Sequence, residues 1–215
     1  MTTSRLVRIR CPICKENFNT VFISSCGYAS KRTDFRPNYW GMNPVEYFYH
    51  LCPNCGFCGS SDIFGTEISN DLVKDKIQKL GKLSDITLIK KLERRIKCYE
   101  ILHEFHMVTL EERTLMEYWL EVFWWAEKED DIKMYGKSVC KYLENLLKEE
   151  SDFKELVCFK YLLGEINRRM GHYNKANNIF KEVISSTNKD KEYSFLNTLA
   201  TQQLNDPQEN IQPNL

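Results

Sequence analysis

CPIC at residues 11–14 and CPNCG at residues 52–56 are two copies of one short motif, separated by 37 residues. Each copy places two cysteines on one tight turn, whose following backbone N–H groups can point back at sulfur. Two such turns complete a tetrahedral site of four sulfur ligands with Zn–S distances of about 2.3 Å. We therefore predict that one structural zinc ion is bound by Cys11, Cys14, Cys52 and Cys55.

A redox function is the main alternative for these cysteines. CPxC also occurs in glutaredoxin-like oxidoreductases, where a single CxxC opens a helix after a strand. Two copies in a turn-rich region favour zinc over redox chemistry, while another metal and an unligated state stay open. Four sulfur ligands leave no position for water, so the metal is not expected to be catalytic. Gly56 follows the second motif, whereas Lys15 stands at the equivalent place after the first, so that turn must form with a side chain present.

Composition limits the classes of protein that fit. The 215 residues include thirty basic and thirty acidic side chains, so the net charge is zero. The protein as a whole therefore has no positive field that would attract nucleic acid, and any nucleic-acid binding must use a local basic region. No apolar run is long enough to span a bilayer, and residues 1–10 contain no apolar leader segment. We expect a cytoplasmic protein without membrane contact, in which the nine cysteines stay reduced.

The remaining cysteines carry a weaker signal. Cys26 and Cys58 lie near the two motifs and fit alternative ligands, a second weak site or a redox-labile pair, but small residues filling a cramped module are the commoner explanation. Core packing is the expected role of the three cysteines in helical runs, which are Cys98, Cys140 and Cys158.

No catalytic motif is present. The sequence lacks a nucleophile elbow, a P-loop, a dinucleotide fingerprint and HExxH. His103 and His106 stand three apart in HEFH, but a metal site needs three or four donors, so surface or capping histidines are the favoured interpretation. We therefore predict a non-enzymatic protein with no catalytic residues.

The character of the sequence changes near residue 68. Before it, turns and aromatic residues surround short β-prone pieces at residues 20–23 and 45–49. After it, apolar residues recur at steps of three and four, which predicts about seven helices. The predicted fold is mainly α, with a small β zinc-ribbon-like module at 1–67, a helical-repeat domain at 68–203 and a polar, flexible tail at 204–215.

Residues 1–36 contain seven basic residues against two acidic ones, a local excess of five positive charges, and aromatic residues follow closely. Basic and aromatic side chains beside a zinc ribbon can contact phosphates and stack on bases. The favoured interpretation is instead that the aromatic residues form the core that a small ribbon shares with the helices. The residues that would carry nucleic-acid binding are Arg5, Arg8, Arg10, Lys31 and Arg32.

One helical stretch resembles a known repeat. Leu163-Gly164, Gly171, Tyr173, Ala176 and Phe180 resemble a tetratricopeptide repeat, a helical hairpin with small residues where its helices meet. The match is degenerate, because Lys160, Asn167 and Asn188 replace the aromatic, tyrosine and proline of the pattern.

CPIC, the block DFRPNYWGMNPVEY at 34–47 and YLLGEINRRMGHYNKA at 161–176 together resemble a bacterial family of uncharacterised proteins, domain of unknown function twenty-two twenty-five. This resemblance implies a cysteine-ligated N-terminal module, a helical-repeat body and no assigned reaction. The family pattern often has cysteine where Arg36 stands and glycine where Lys15 stands.

These observations predict a zinc-stabilised adaptor or scaffold. Stacked helical hairpins present a concave face that binds a peptide or another protein, and the zinc module caps the N-terminal end. The alternative is a nucleic-acid-binding or regulatory protein that uses the basic ribbon. A thiol oxidoreductase ranks third, since it would require a zinc-free protein that stays folded.

Overall fold

The computed structural model describes residues 2–187 and 194–211. The chain forms two compact units: the first comprises Met1–Tyr28 and Tyr39–Glu111, and the second comprises Ala29–Asn38 and Glu112–Leu215. The predicted class is confirmed, since the fold is mainly α-helical with small antiparallel strand pairs near the N-terminus. Among the described residues, no helix is both long and apolar enough to cross a membrane.

The strands of the first unit flank the two cysteine motifs. β1 (Thr3–Arg10) and β2 (Asn17–Ser25) form an antiparallel hairpin whose turn is CPIC. β5 (Tyr49–Leu51) and β6 (Cys58–Ser60) form a second, shorter pair whose turn is CPNCG. The strand predicted at residues 20–23 is confirmed within β2.

The strand predicted at residues 45–49 is wrong. The chain forms α1 (Val45–Phe48) and enters β5 only at Tyr49. Pro44 supplies a helical backbone at the start of α1, and the Asn43 side chain accepts a hydrogen bond from the Val45 N–H. These two local features override the β propensity of the valine and the aromatic residues.

Three further helices complete the first unit: α2 (Ser61–Phe64), α3 (Asp71–Lys79) and α4 (Leu88–Glu104). Side-chain caps fix where the longer two begin, with Asn70 before α3 and Thr87 before α4. The core of this unit joins the motif cysteines to both helices, through Val73 and Ile77 of α3 and Cys98 and Leu102 of α4. The predicted boundary at residue 67 falls inside this core, because the turn-rich segment has too few apolar residues to close it alone.

The second unit is a series of helices, α5 (Glu112–Trp124), α6 (Glu129–Glu149), α7 (Phe153–Arg169), α8 (Tyr173–Thr187) and α9 (Ser194–Asn205). Each packs against the next one along the chain. With α3 and α4 they make seven helices after residue 70 in the described part of the chain, as predicted. Gly164 lets α7 approach α8 closely, and Gly171 has a φ of +83° in the turn between them.

A segment from the N-terminal part of the sequence completes the second unit. β3 (Tyr28–Lys31) and β4 (Pro37–Tyr39) pair as a hairpin, and the residues between them bind the helices. Asp34 is fully buried and pairs with Arg169, while the Thr33 hydroxyl donates to Glu165 at 2.6 Å and the Thr33 carbonyl accepts from the Tyr161 hydroxyl at 3.1 Å.

The chain after α9, part of the predicted flexible tail at 204–215, forms several hydrogen bonds. The Thr33 N–H donates to the Glu209 carbonyl at 3.1 Å, and the Gln203 side chain bonds the backbone of Gln208 in both directions. Polar residues in this segment are therefore held by partners distant in sequence. Residues 212–215 of the predicted tail lie outside the described residues.

Candidate metal centre

The four motif cysteines meet at one point in the first unit. Their sulfur atoms all lie within 4.8 Å of one another, with 3.6 Å from Cys11 to Cys55 and 3.6 Å from Cys14 to Cys52. A tetrahedron with Zn–S bonds of about 2.3 Å has edges of about 3.8 Å, so these separations suit one metal ion at the centre. Cys11, Cys52 and Cys55 are buried and Cys14 is half-buried, which encloses the cluster on nearly all sides.

The two motifs are built in the same way. In the first, the Cys11 N–H donates to the Glu16 carbonyl at 2.8 Å and the Lys15 N–H to the Cys11 carbonyl at 3.0 Å. In the second, Cys52 donates to Phe57 and Gly56 to Cys52 at the same two distances. Lys15 has a φ of +63° and Gly56 one of +75°, so the first turn does form with a side chain in the left-handed region.

Hydrogen bonds among the thiols of the cluster shift their pKa values in opposite directions. Hydrogen bonds from Cys11 and then Cys55 lower the pKa of Cys52 to about 2, whereas the bond with Cys52 raises the pKa of Cys11 to about 12. The pKa of Cys55 is also raised, first by its bond with Cys11. Four thiolates this close together would repel one another, and a dication at the centre would offset that repulsion.

Arg94 of α4 ties the second motif to the helices. Its buried guanidinium donates to the carbonyls of Gly56 at 3.2 Å and Leu80 at 3.0 Å, and to that of Gly81. Gly56 directly follows the ligand candidate Cys55, so this contact fixes the chain where it leaves the cluster. No sequence pattern marks Arg94, because residues 56 and 94 are linked only through the fold.

His50 is a second residue that sequence reasoning missed. It is buried two residues before Cys52, with Nδ1 at 3.1 Å from the Thr20 hydroxyl and Nε2 at 2.8 Å from the Ser61 hydroxyl. Burial lowers the pKa of His50 to about 4, so the ring is neutral at physiological pH. It therefore links β2, β5 and the start of α2 around the cluster.

The other sulfur and imidazole candidates lie outside the four-sulfur cluster. Cys26 is exposed, and Cys58 is fully buried with its N–H 3.4 Å from the Cys98 sulfur. Burial raises the pKa of Cys58 to about 12, as expected of a core thiol. His103 caps the turn after α4 through Val108 and Leu110. Cys98 and Cys140 are buried, as predicted, and Cys158 is half-buried.

The family comparison covers both units. The model of the DUF2225 family, described as an uncharacterized protein conserved in bacteria, matches residues 7–206. The chain belongs to this family. The DUF2225 match includes all four motif cysteines and helices α3 to α9, which confirms the resemblance found in the sequence. No curated protein and no solved structure gives a significant match.

Proposed function

We propose that this protein is a non-enzymatic, zinc-stabilised adaptor that binds a protein or peptide through its helical unit. The four-sulfur cluster is the observation that supports the metal part of the proposal. An all-sulfur tetrahedral donor set suits zinc or iron, and zinc is the ion that commonly fills such sites as a structural element. Its ligands would be Cys11, Cys14, Cys52 and Cys55.

Metal analysis tests this part directly. Protein purified without added metal is expected to contain about one zinc per chain, and a Cys52→Ser, Cys55→Ser variant to contain none and to melt at a much lower temperature. A Cys26→Ser variant is the matched control, because Cys26 is exposed and lies outside the cluster. Iron in place of zinc, or a metal-free protein with an unchanged melting temperature, would contradict the proposal.

The adaptor part is supported by the surface of the second unit. A groove of about 400 Å³ lies among the end of α6, the start of α7 and the end of α8. Its lining is mainly apolar, with Leu147, Phe153, Leu156 and Val157, and Phe153 is 45% exposed. Lys160 lies at the groove and pairs with Glu182 at 3.2 Å. An apolar groove with a charged residue at its edge suits an apolar anchor residue of a peptide.

Peptide display on the zinc-loaded full chain tests the adaptor part. Selected peptides are expected to share an apolar anchor and to lose roughly five- to thirtyfold in affinity for a Phe153→Ala variant, as a truncated contact to the anchor costs about 1–2 kcal/mol. Phe195→Ala is the control, since Phe195 is 41% exposed in the same unit but does not line the groove. Failure to enrich any peptide, or equal losses in both variants, would count against peptide binding at this groove.

A further inference from the structure

The β1–β2 hairpin presents a ladder of arginine and asparagine side chains on one face. Residues opposite one another on the two strands include Arg8 with Asn19 and Arg10 with Asn17. All four are exposed, whereas the residues that alternate with them, such as Ile9 and Phe18, are half-buried against the first unit. Side chains of paired residues lie on the same face of a ribbon, so the four form one polar surface.

The cations of this surface carry no carboxylate partner among the described residues. Arg10 donates through Nε to the Lys15 carbonyl at 3.2 Å, which leaves its terminal N–H groups available, and the Arg8 side chain forms no hydrogen bond or ion pair there. Lys15 adds a third cation at the turn, and Glu16 is the one acidic residue between the strands. The local charge is therefore positive on a chain whose net charge is zero.

We propose that this face of the hairpin binds duplex DNA in the major groove. The major groove is about 12 Å wide and admits a two-stranded β-ribbon. Arginine pairs with the O6 and N7 atoms of guanine or with phosphate, and asparagine pairs with N6 and N7 of adenine. Duplex RNA is a poorer partner, because its major groove is too deep and narrow for side chains to read.

Charged side chains on an exposed ribbon also prevent strands from pairing with other chains. That role accounts for exposed arginines, while the facing asparagines add side-chain amides that both donate and accept, as adenine recognition requires. The turn of the hairpin is the CPIC motif itself, so a metal bound there would clamp the end of the ribbon that carries Arg10 and Asn17. Chelation is therefore expected to weaken DNA binding, whether or not the groove of the helical unit binds a peptide.

In the alternative interpretation of the sequence, Lys31 and Arg32 were predicted to bind nucleic acid together with the arginines of the hairpin, but they belong to the second unit. Arg32 there pairs with Asp34 and Glu209. They take no part in the proposed surface.

Fluorescence anisotropy with a labelled, mixed-sequence DNA duplex and the zinc-loaded full chain tests the proposal. An Arg8→Gln, Arg10→Gln variant is expected to bind at least roughly tenfold more weakly and to reduce the slope of log affinity against log salt by about one to two. A Lys79→Gln, Lys82→Gln variant removes the same charge from exposed positions of the same unit and is expected to bind like the parent. Circular dichroism and zinc content check that both variants fold.

Base reading gives a second readout. An Asn17→Ala, Asn19→Ala variant is expected to keep the salt dependence but to lose discrimination among duplexes selected by the parent protein. The proposal is overturned if the parent does not bind the duplex, if the lysine variant loses as much affinity as the arginine variant, or if RNA or polyglutamate competes better than duplex DNA. It is also overturned if the asparagine variant selects the same sequences as the parent.

Discussion

Lys15 and Gly56 occupy the same place after their two motifs and have nearly the same backbone conformation, with φ of +63° and +75°. Their surroundings differ. A Cβ atom on Gly56 would lie 2.2 Å from the Gly81 carbonyl oxygen and 2.7 Å from Nη1 of Arg94. Glycine is therefore required at the second turn by backbone packing as well as by conformation, while the first turn tolerates a side chain at a conformational cost.

Opposite effects are expected from changing these two residues. Gly56→Ala should destabilise the zinc-loaded protein by about 2 kcal/mol or more, because strain in the left-handed region adds to a backbone clash. Lys15→Gly should stabilise it by about 0.5 kcal/mol. Glycine relieves the backbone strain in the folded state, and this gain exceeds the loss caused by the greater conformational entropy of glycine in the unfolded chain. Urea unfolding of the three proteins measures both effects, and a Gly56→Ala protein as stable as the parent would contradict the packing at Gly81.

Arg94 gives the second prediction at this scale. Arg94→Met removes the donors to three carbonyls and should cost about 2–4 kcal/mol of stability, since one buried and two partly buried acceptors lose this partner. Zinc affinity should fall as well, because the chain leaving Cys55 is no longer held. Competition with a chelator measures zinc affinity. Arg94→Lys is the control that keeps the charge, and it should restore part of the loss; identical behaviour of the two variants would argue against directional hydrogen bonding.

The residues of the candidate site differ in how far the sequence could predict them. The four cysteines follow from spacing, because two residues of each pair lie on one turn. Arg94 and His50 act on partners 38 and 30 residues away, Gly56 and Thr20, so no local pattern marks them. Cys58 illustrates the reverse case, a cysteine near a motif that packs in the core against Cys98.

At the scale of elements, two glycines set how closely helices pack in the second unit. A Cβ on Gly164 would lie 2.7 Å from the Phe180 ring, and one on Gly136 would lie 2.5 Å from the sulfur of Met170. The two neighbours differ in how they can respond. Phe180 is a rigid, fully buried ring, whereas Met170 is also buried but has an unbranched side chain with more rotamers available.

Gly164→Ala should therefore destabilise the protein by about 1–3 kcal/mol through overpacking. Gly136→Ala should be closer to neutral, because the better helix propensity of alanine offsets the displacement of Met170. Thermal melts of the two variants compare them directly. The reverse order of melting temperatures would show that α7 and α8 are not packed as described.

The inserted β3–β4 hairpin depends on a buried ion pair. Asp34 faces Arg169, with Arg32 at 3.6 Å on the other side. Asp34→Asn should destabilise the second unit by about 3 kcal/mol or more, because Arg169 would keep a charge in a poorly hydrated position. Glu144→Gln breaks the exposed pair with Lys175 and should have little effect. Chemical denaturation measures the difference, and equal stabilities would exclude an important role for the buried pair.

The helices and strands were predicted well where apolar residues recur at a regular spacing in the sequence, and poorly where they do not. The apolar steps of α6 and α7 lie within single helices, so the sequence alone marks them. At residues 45–49, Asn43 and Pro44 outweigh β propensity. The polar residues after α9 have no periodicity, and their order comes from hydrogen bonds to Thr33, far away along the chain.

For the whole molecule, the unit boundaries follow from the core that surrounds the motif cysteines. Residues 1–67 lack Val73, Ile77, Cys98 and Leu102, which pack against the motif cysteines. Burial of Val73, Ile77 and Leu102 contributes about 1.5–3 kcal/mol for each side chain. The change of composition near residue 68 marks where helices begin in the sequence, but not which unit those helices complete.

A fragment of residues 1–67 should therefore bind zinc much more weakly than a fragment of residues 1–111, which keeps α3 and α4. Metal content after gel filtration in the presence of a chelator measures the difference. The full chain is the reference for both fragments. Equal retention of zinc by the two would show that the cysteine motifs fold without the helices.

The inserted segment Ala29–Asn38 also sets an order of events during protein synthesis. Its partners reach as far as Ile211, whose N–H donates to the Lys31 carbonyl. At about 5–20 residues per second, the residues between these two take roughly 10–35 s to synthesise. A β-hairpin forms in microseconds, so synthesis of the chain, and not folding of the hairpin, limits how soon these contacts form. The first unit can therefore fold as soon as Glu111 has been made, and a metal bound by the cysteine cluster would be acquired at that stage. Residues 29–38 gain their partners from the segment after α9 only later.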